Sequence, residues 1–283
     1  TGFLGSSLAI RLVSEGYDLT ILKRSTSNLK LIGTIVDQIQ MVDLDKTDLQ
    51  TFLSETPRFD ALIHTATCYG RKNEGELRVF ETNTYFAFQL LEAAAEHKIP
   101  LFINSDSLLP RNFNSYSLSK KQFSEWGEHY AKRKLITFID VQIEHMFGQG
   151  DSETTFTNYV IKECLNNAEK LDLTQGEQER DFIYIEDVVS AYLVLLKTGN
   201  SLPSDYSTFQ LGLGKAIKVK NFVELVKKLS KSNTRLDFGA MPYRKNEFMF
   251  CEADTRPLQA LGWKPKYTLE SGILKTIEFE KDK

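Results

Sequence analysis

Hydrophobic and polar positions follow two alternating patterns along the first half of the chain. One reads as helix, over 6–15, 48–55, 79–97 and 115–133, with an apolar spacing near 3.6 clearest over 79–97. The other reads as short apolar strands, over 18–22, 39–42, 61–64, 100–104 and 135–141. Gly16 stops the first helix. Strands that alternate with helices imply a parallel sheet covered on both faces. After Gly148 the alternation weakens, although 182–185 and 187–197 return to the sheet side. A helix over 219–229 and turns at Met241-Pro242 and Lys264-Pro265 belong to a mixed tail. The expected fold is therefore α/β: a doubly wound parallel sheet with a smaller mixed α/β C-terminal lobe. The expected division is a nucleotide-binding domain over 1–150, to which 180–200 return, and a substrate lobe over 151–283. The run Thr1-Gly2-Phe3-Leu4-Gly5 reads as a turn entering a helix, so the first strand of such a sheet is expected to precede Thr1.

Composition narrows the functional classes. The 283 residues are 41% hydrophobic and 26% charged, with a net charge of −3. The sequence pI is near 5.9. No broad basic field recruits nucleic acid or an anionic membrane. Three dispersed cysteines, Cys68, Cys164 and Cys251, form no C-x-x-C pair, which indicates neither a metal site nor a disulfide framework. The expected compartment is the reducing cytoplasm. No signal peptide is read, and no apolar run approaches the ~20 residues of a membrane span.

The candidate chemistry centres on Tyr116 and Lys120 in the run Y-S-L-S-K. Four residues apart on a helix, they share a face. The ammonium is expected to favour the phenolate, so that the phenol exchanges a proton with a substrate oxygen at neutral pH. Ser105, at a strand end in I-N-S-D-S, can hydrogen-bond the same oxygen. Gly2-Phe3-Leu4-Gly5 reads as the second half of a glycine-rich dinucleotide turn, where glycine admits a pyrophosphate to a helix N-terminus. Lys23-Arg24-Ser25 end the next strand where NAD sites carry an acid, and two cations suit a 2′-phosphate, so NADP is favoured over NAD. Asp43-Leu44 can take the adenine amino group, and His64-Thr65-Ala66 leave room for the cofactor to pass.

Taken together, these motifs resemble the extended short-chain dehydrogenase/reductase family of the NAD-dependent epimerase/dehydratase type, whose fold is Rossmann-type. The resemblance rests on T-G-F-L-G (1–5), V-D-L (42–44), H-T-A-T (64–67), E-T-N (81–83), S-D-S (105–107) and Y-S-L-S-K (116–120). It continues in F-G-Q-G (147–150), R-D-F-I-Y-I-E-D-V (180–188), A-D-T (253–255) and L-G-W-K-P (261–265). It implies Tyr116 as acid/base, Lys120 on the nicotinamide ribose and Ser105 on the reacting oxygen. It further implies a mainly structural Asn83, and Arg180 and Arg244 on the diphosphate of a nucleotide-sugar. Relatives dimerise through the helices read at 79–97 and 115–133, which implies a possible homodimer.

The family includes 4-epimerases, 4,6-dehydratases and ketoreductases. Dehydratases carry Asp-Glu directly after the polarising Ser/Thr; here the pair is Asp106-Ser107, which argues against dehydration. Leu109-Pro110 and His145 also replace residues usual in the family, so the pocket is expected to differ from that of common epimerases. The stretches H-T-A-T-C-Y-G-R-K-N-E and I-N-S-D-S-L-L-P-R-N resemble a nucleotide-sugar 4-ketoreductase of bacterial lipopolysaccharide O-antigen biosynthesis. The expected activity is NADPH-dependent reduction of a C4 ketone. A nucleotide-sugar 4-epimerase and a non-catalytic dinucleotide sensor are the rival readings.

Overall fold

The computed structural model describes all residues except Pro57, Lys72 and Lys283. The chain divides into two compact units, Thr1–Gln142 with Tyr192–Phe209, and Ile143–Ala191 with Gln210–Lys283.

In the first unit, α1 (Phe3–Ser14) leads to the parallel strands β1 (Thr20–Lys23) and β2 (Gln40–Asp43). Helix α2 (Leu49–Glu55) starts at Asp48, whose side chain accepts from the Thr51 amide. β3 (Leu62–His64) is followed by α3 (Glu76–Phe80), a π turn (Glu81–Tyr85) and α4 (Phe86–Glu96). β4 (Leu101–Ser107), α5 (Ser115–Lys132) and β5 (Thr137–Ile143) complete the main run. The second unit begins with β6 (His145–Phe147), α6 (Phe156–Leu165), β7 (Lys170–Leu173), β8 (Glu179–Arg180) and β9 (Phe182–Tyr184). α7 (Ile185–Thr198) carries the chain back to the first unit and to β10 (Tyr206–Leu211). β11 (Ile217–Lys218), α8 (Val219–Ser230), β12 (Arg235–Phe238), α9 (Arg256–Ala260) and α10 (Leu269–Lys281) finish the chain.

The main sheet has the order β10-β5-β4-β3, and β3 pairs parallel with β4. Its core is aromatic. Phe102 and Phe138 stack at 5.3 Å, with Phe123 set edge-on to both. Gly127 lets α5 approach this cluster, since a Cβ there would lie 2.3 Å from the Phe138 ring. The second unit has its own core, with Phe182 stacked on Phe222 at 4.2 Å and Trp263 almost fully buried. Two motif carboxylates pin its backbone. Asp181 accepts from the amides of Leu213, Gly214 and Ala253, and Asp187 from those of Lys266 and Tyr267. Among the described residues no helix is long and apolar enough to cross a membrane.

Two elements depart from the sequence reading. The helix predicted over 79–97 starts at Glu76 and contains the π turn. The turn carries buried Asn83, which accepts from the Cys68 amide at 2.7 Å and donates to the Cys68 carbonyl at 2.8 Å and to Ser119 Oγ at 3.0 Å. Asn83 thus fixes the loop after β3, and the π turn aims it there. Strand β4 runs three residues past the predicted end, because Ser105, Asp106 and Ser107 are polar yet buried.

Candidate active site

α5 begins with a capping box. Asn114 accepts from the Ser117 amide, and the Ser117 hydroxyl reaches back to the Asn114 amide. This fixes where the helix starts, and so places Tyr116 in its first turn and Lys120 one turn later on the same face. Tyr116 is half-buried. Its ring meets Tyr69 at 5.0 Å, and the Arg71 guanidinium lies 4.9 Å from the Tyr69 centroid. Lys72, of the same stretch, lies outside the described residues.

The phenol differs from the sequence expectation. Burial first, then Tyr69 and Asp106, push Tyr116 well above its ordinary range. A hydrogen bond from Ser107 and the charge of Arg71 oppose this, and Lys120 is not among the leading influences. Lys120 is itself fully buried, which lowers its own proton affinity against the support of Asp106 and Asp140. Ser105 and Ser107 share one face of β4, as residues two apart in a strand do. Ser107 bonds Tyr116, whereas Ser105 Oγ lies 2.6 Å from the Tyr192 phenol. Asp106 lies between them in sequence, with its carboxylate 2.5 Å from Lys121 Nζ.

Behind this face a polar line crosses three strands. His64 Nδ1 lies 3.1 Å from Asn104 Oδ1, and Asn104 Nδ2 donates to Asp140 Oδ1 at 2.8 Å. All three residues are buried. Burial, and then the Lys120 charge, push His64 down to about 3, so the ring is neutral. Asn104, Asp140, Tyr192, Tyr69 and Arg71 escaped the sequence reading. Asp140 had a signal, a carboxylate inside the apolar run F-I-D-V.

At the expected cofactor end, α1 starts at Gly2, which offers no side-chain cap, and its first turn carries no acid. Its N-terminal dipole is therefore free to meet an anion. Phe3 is half-buried, Leu4 is buried, and a Cβ on Gly5 would come within 2.9 Å of Thr65 Oγ1. Ala66 is exposed and Leu44 packs beside the core. Lys23 Nζ lies 3.2 Å from Asp43 Oδ2, and the Ser25 hydroxyl donates to the same carboxylate at 2.8 Å. Burial works to raise the Asp43 carboxyl, but these bonds outweigh it and hold the group below its usual range. Lys23 is thus partly neutralised, and Arg24 is the exposed cation of the pair. A dinucleotide fits these residues. The buried Lys120 Nζ has no hydrogen-bond partner, as a group that awaits ribose hydroxyls would not, and α1 presents an open N-terminus.

In the second unit Arg180 is buried, paired with Glu247 at 2.7 Å, and donates to the Glu179 carbonyl. His145 is partly exposed, with Nδ1 3.0 Å from Glu144 Oε1. Arg244 is exposed in a turn.

The profile of the NAD dependent epimerase/dehydratase family matches residues 1–212. A CDP-abequose synthase from Salmonella muenchen is 32% identical over 287 residues, which cover 99% of this chain and 95% of that protein. Among solved structures, the UDP-glucose 4-epimerase of Thermotoga maritima with UDP-glucose superposes with a TM-score of 0.85 at 19% identity. That alignment covers 99% of this chain and 96% of the epimerase. A Thermus thermophilus UDP-glucose 4-epimerase in complex with NAD gives a TM-score of 0.83 at 16% identity, with the same coverage. These structures share the Rossmann-type α/β fold with its parallel sheet, and the profile match over three quarters of the sequence extends the likeness to the family's nucleotide-sugar chemistry. This chain belongs to the NAD dependent epimerase/dehydratase family, as an NAD(P)-dependent enzyme that acts on nucleotide-sugars.

Proposed function

We propose that this enzyme uses NADPH to reduce the C4 ketone of a nucleotide-linked deoxy-4-keto sugar. The observation that carries the reading is Tyr116, a phenol that burial keeps protonated, one turn from buried Lys120 on α5. Ketone reduction consumes a proton at the oxygen, so a phenol held protonated suits that direction. Bound NADPH supplies the hydride. Tyr116 gives its proton to the oxygen on which negative charge develops. Ser105 and Ser107 donate hydrogen bonds on the same strand face. Lys120 takes the ribose hydroxyls, and Arg24 the 2′-phosphate. Arg180 and Arg244 are the diphosphate candidates, since guanidinium groups match phosphate oxygens in pairs. Asp106, Ser107 and His145 are further substrate-binding candidates.

Dehydration finds no support. Asp106 is buried and committed to Lys121, and Ser107 stands where that reaction requires a second acid. The relationship to CDP-abequose synthase favours a CDP-linked sugar and a place in O-antigen sugar biosynthesis. The test offers CDP-, dTDP-, UDP- and GDP-linked 4-keto sugars and follows NADPH absorbance. Stoichiometric NADPH loss with one of them supports the reading. Interconversion of 4-epimers with no net cofactor consumption overturns it in favour of an epimerase.

A further inference from the structure

Strand β4 ends in contact with two helices, α5 and α7. Its pairing with β3 stops at Asn104, opposite His64, and Ser105, Asp106 and Ser107 run on as three polar, buried residues. Polar side chains in such a place need partners, and each has one. Ser105 Oγ lies 2.6 Å from the Tyr192 phenol on α7. Ser107 Oγ accepts from the Leu109 amide at 3.2 Å, which leaves its proton for another acceptor, and the hydroxyl bonds the Tyr116 phenol. Asp106 faces the other side of the strand, as alternation requires, and meets Lys121 of α5.

Lys121 grips this strand end twice. Its ammonium lies 2.5 Å from Asp106 Oδ2 and donates to the Ser107 carbonyl at 2.7 Å. One acceptor is a side chain and the other is the backbone of the next residue, so the two bonds together fix both the height of the strand end and its rotation. Both are charge-assisted. They are also shielded, since the Asp106 side chain is wholly buried and that of Lys121 is 16% exposed. An exposed ion pair contributes little, but this one has a buried carboxylate at its centre, which loss of the ammonium leaves unpaired. On α5, Lys121 stands five residues after Tyr116, about 140° further round the helix. The helix thus touches the end of β4 with two of its faces. Tyr116 meets the Ser107 hydroxyl, and Lys121 meets the Asp106 carboxylate and the Ser107 carbonyl.

We propose that Lys121 is a positioning residue of the reaction centre: it clamps the end of β4 to α5 and thereby sets the Ser107 hydroxyl against the Tyr116 phenol. The inference rests on the proposed function only in taking Tyr116 as the working phenol. Without the ammonium, Asp106 is a buried charge with no counter-ion, and the strand end shifts to relieve it. Ser107 moves with its own backbone, away from the place where its hydroxyl meets Tyr116.

The test reads Tyr116 by NMR without any ligand. The protein is prepared with tyrosine carrying ¹³C at Cζ, and the Tyr116 signal is assigned by its disappearance in Tyr116→Phe. Ser107→Ala gives the displacement of that signal when the hydroxyl bond is lost. In Lys121→Met the signal should move in the same direction. In Lys121→Met combined with Ser107→Ala it should move no further than in Ser107→Ala alone, because a double-mutant cycle separates action through Ser107 from general loosening. An unmoved signal in folded Lys121→Met overturns the proposal. So does a Lys121→Met effect that is undiminished when Ser107 is already alanine. If the unpaired Asp106 keeps Lys121→Met from folding, the same readings are taken with Asp106→Asn added, which removes that charge. With a 4-keto sugar, kcat should fall about tenfold or more in Lys121→Met, as for a displaced reacting group, while the dinucleotide binds as before. A moved signal in a protein that reduces no 4-keto sugar retains the clamp and discards the substrate assignment instead.

Discussion

The Ser105 hydroxyl and the Tyr192 phenol lie 2.6 Å apart, 87 residues distant in sequence. Burial pushes Tyr192 far above its ordinary range, so it remains an O–H donor at any working pH. A hydroxyl that accepts from Tyr192 has its own proton free for a substrate oxygen. Tyr192→Phe should cut kcat about tenfold, the value of one net hydrogen bond of about 1.4 kcal/mol, with dinucleotide affinity unchanged. Ser105→Ala should cost more. Steady-state kinetics with dinucleotide titration check both. Equal kcat in wild type and Tyr192→Phe would remove the donor role.

Tyr116→Phe should lose roughly 10²- to 10⁴-fold in turnover, the usual span of general acid–base catalysis, and still bind the dinucleotide. The protein by itself should also show no Tyr116 ionisation below about pH 10, since burial holds the phenol above its ordinary value. Phenolate absorbance in the wild type minus that in Tyr116→Phe measures it. An ionisation near neutrality in this difference would restore the role first assigned to Lys120.

Arg24→Ala should weaken NADPH binding about tenfold or more and leave NADH binding nearly untouched, because a charge-assisted phosphate contact is worth about 1.5–3 kcal/mol. Lys23→Ala should have the smaller effect, since Asp43 already takes up part of that charge. Affinities for the two dinucleotides decide the matter. If Arg24→Ala weakened both equally, the 2′-phosphate assignment would fall.

His64 titrates near 3 in the native protein and near its ordinary 6.5 when unfolded. The unfolded state therefore binds more protons between these values, and stability falls as pH drops from about 6.5 towards 3. In His64→Gln this contribution should vanish. Urea unfolding at pH 7 and pH 5 should show a smaller loss for the variant than for the wild type. Parallel losses would show that the ring is charged in the fold.

Gly127→Ala should destabilise the protein by about 1–3 kcal/mol, because the added methyl meets the packed Phe138 ring. Thermal unfolding tests it, and an unchanged melting temperature would mean that the aromatic cluster yields freely.

Much of this molecule was legible in the linear chain because its signals are local. The helix that spaces Tyr116 and Lys120 by four residues, the glycine turn that opens α1, and the alternation of strands and helices all depend on neighbours within a few positions. The family motifs were legible for the same reason, as short runs in a fixed order. What the tertiary structure decided are contacts between residues far apart in sequence. Asn104 and Asp140 meet across 36 residues, Lys23 and Asp43 across 20, and Ser105 and Tyr192 across 87. Each depends on strand register and on which side chains a buried face brings together, and periodicity carries no record of either. Hence the sequence could nominate Lys120 as the group that tunes Tyr116. Only the packed fold showed that Lys120 is buried, with Asp106 and Asp140 favouring its charged form, and that burial governs the phenol.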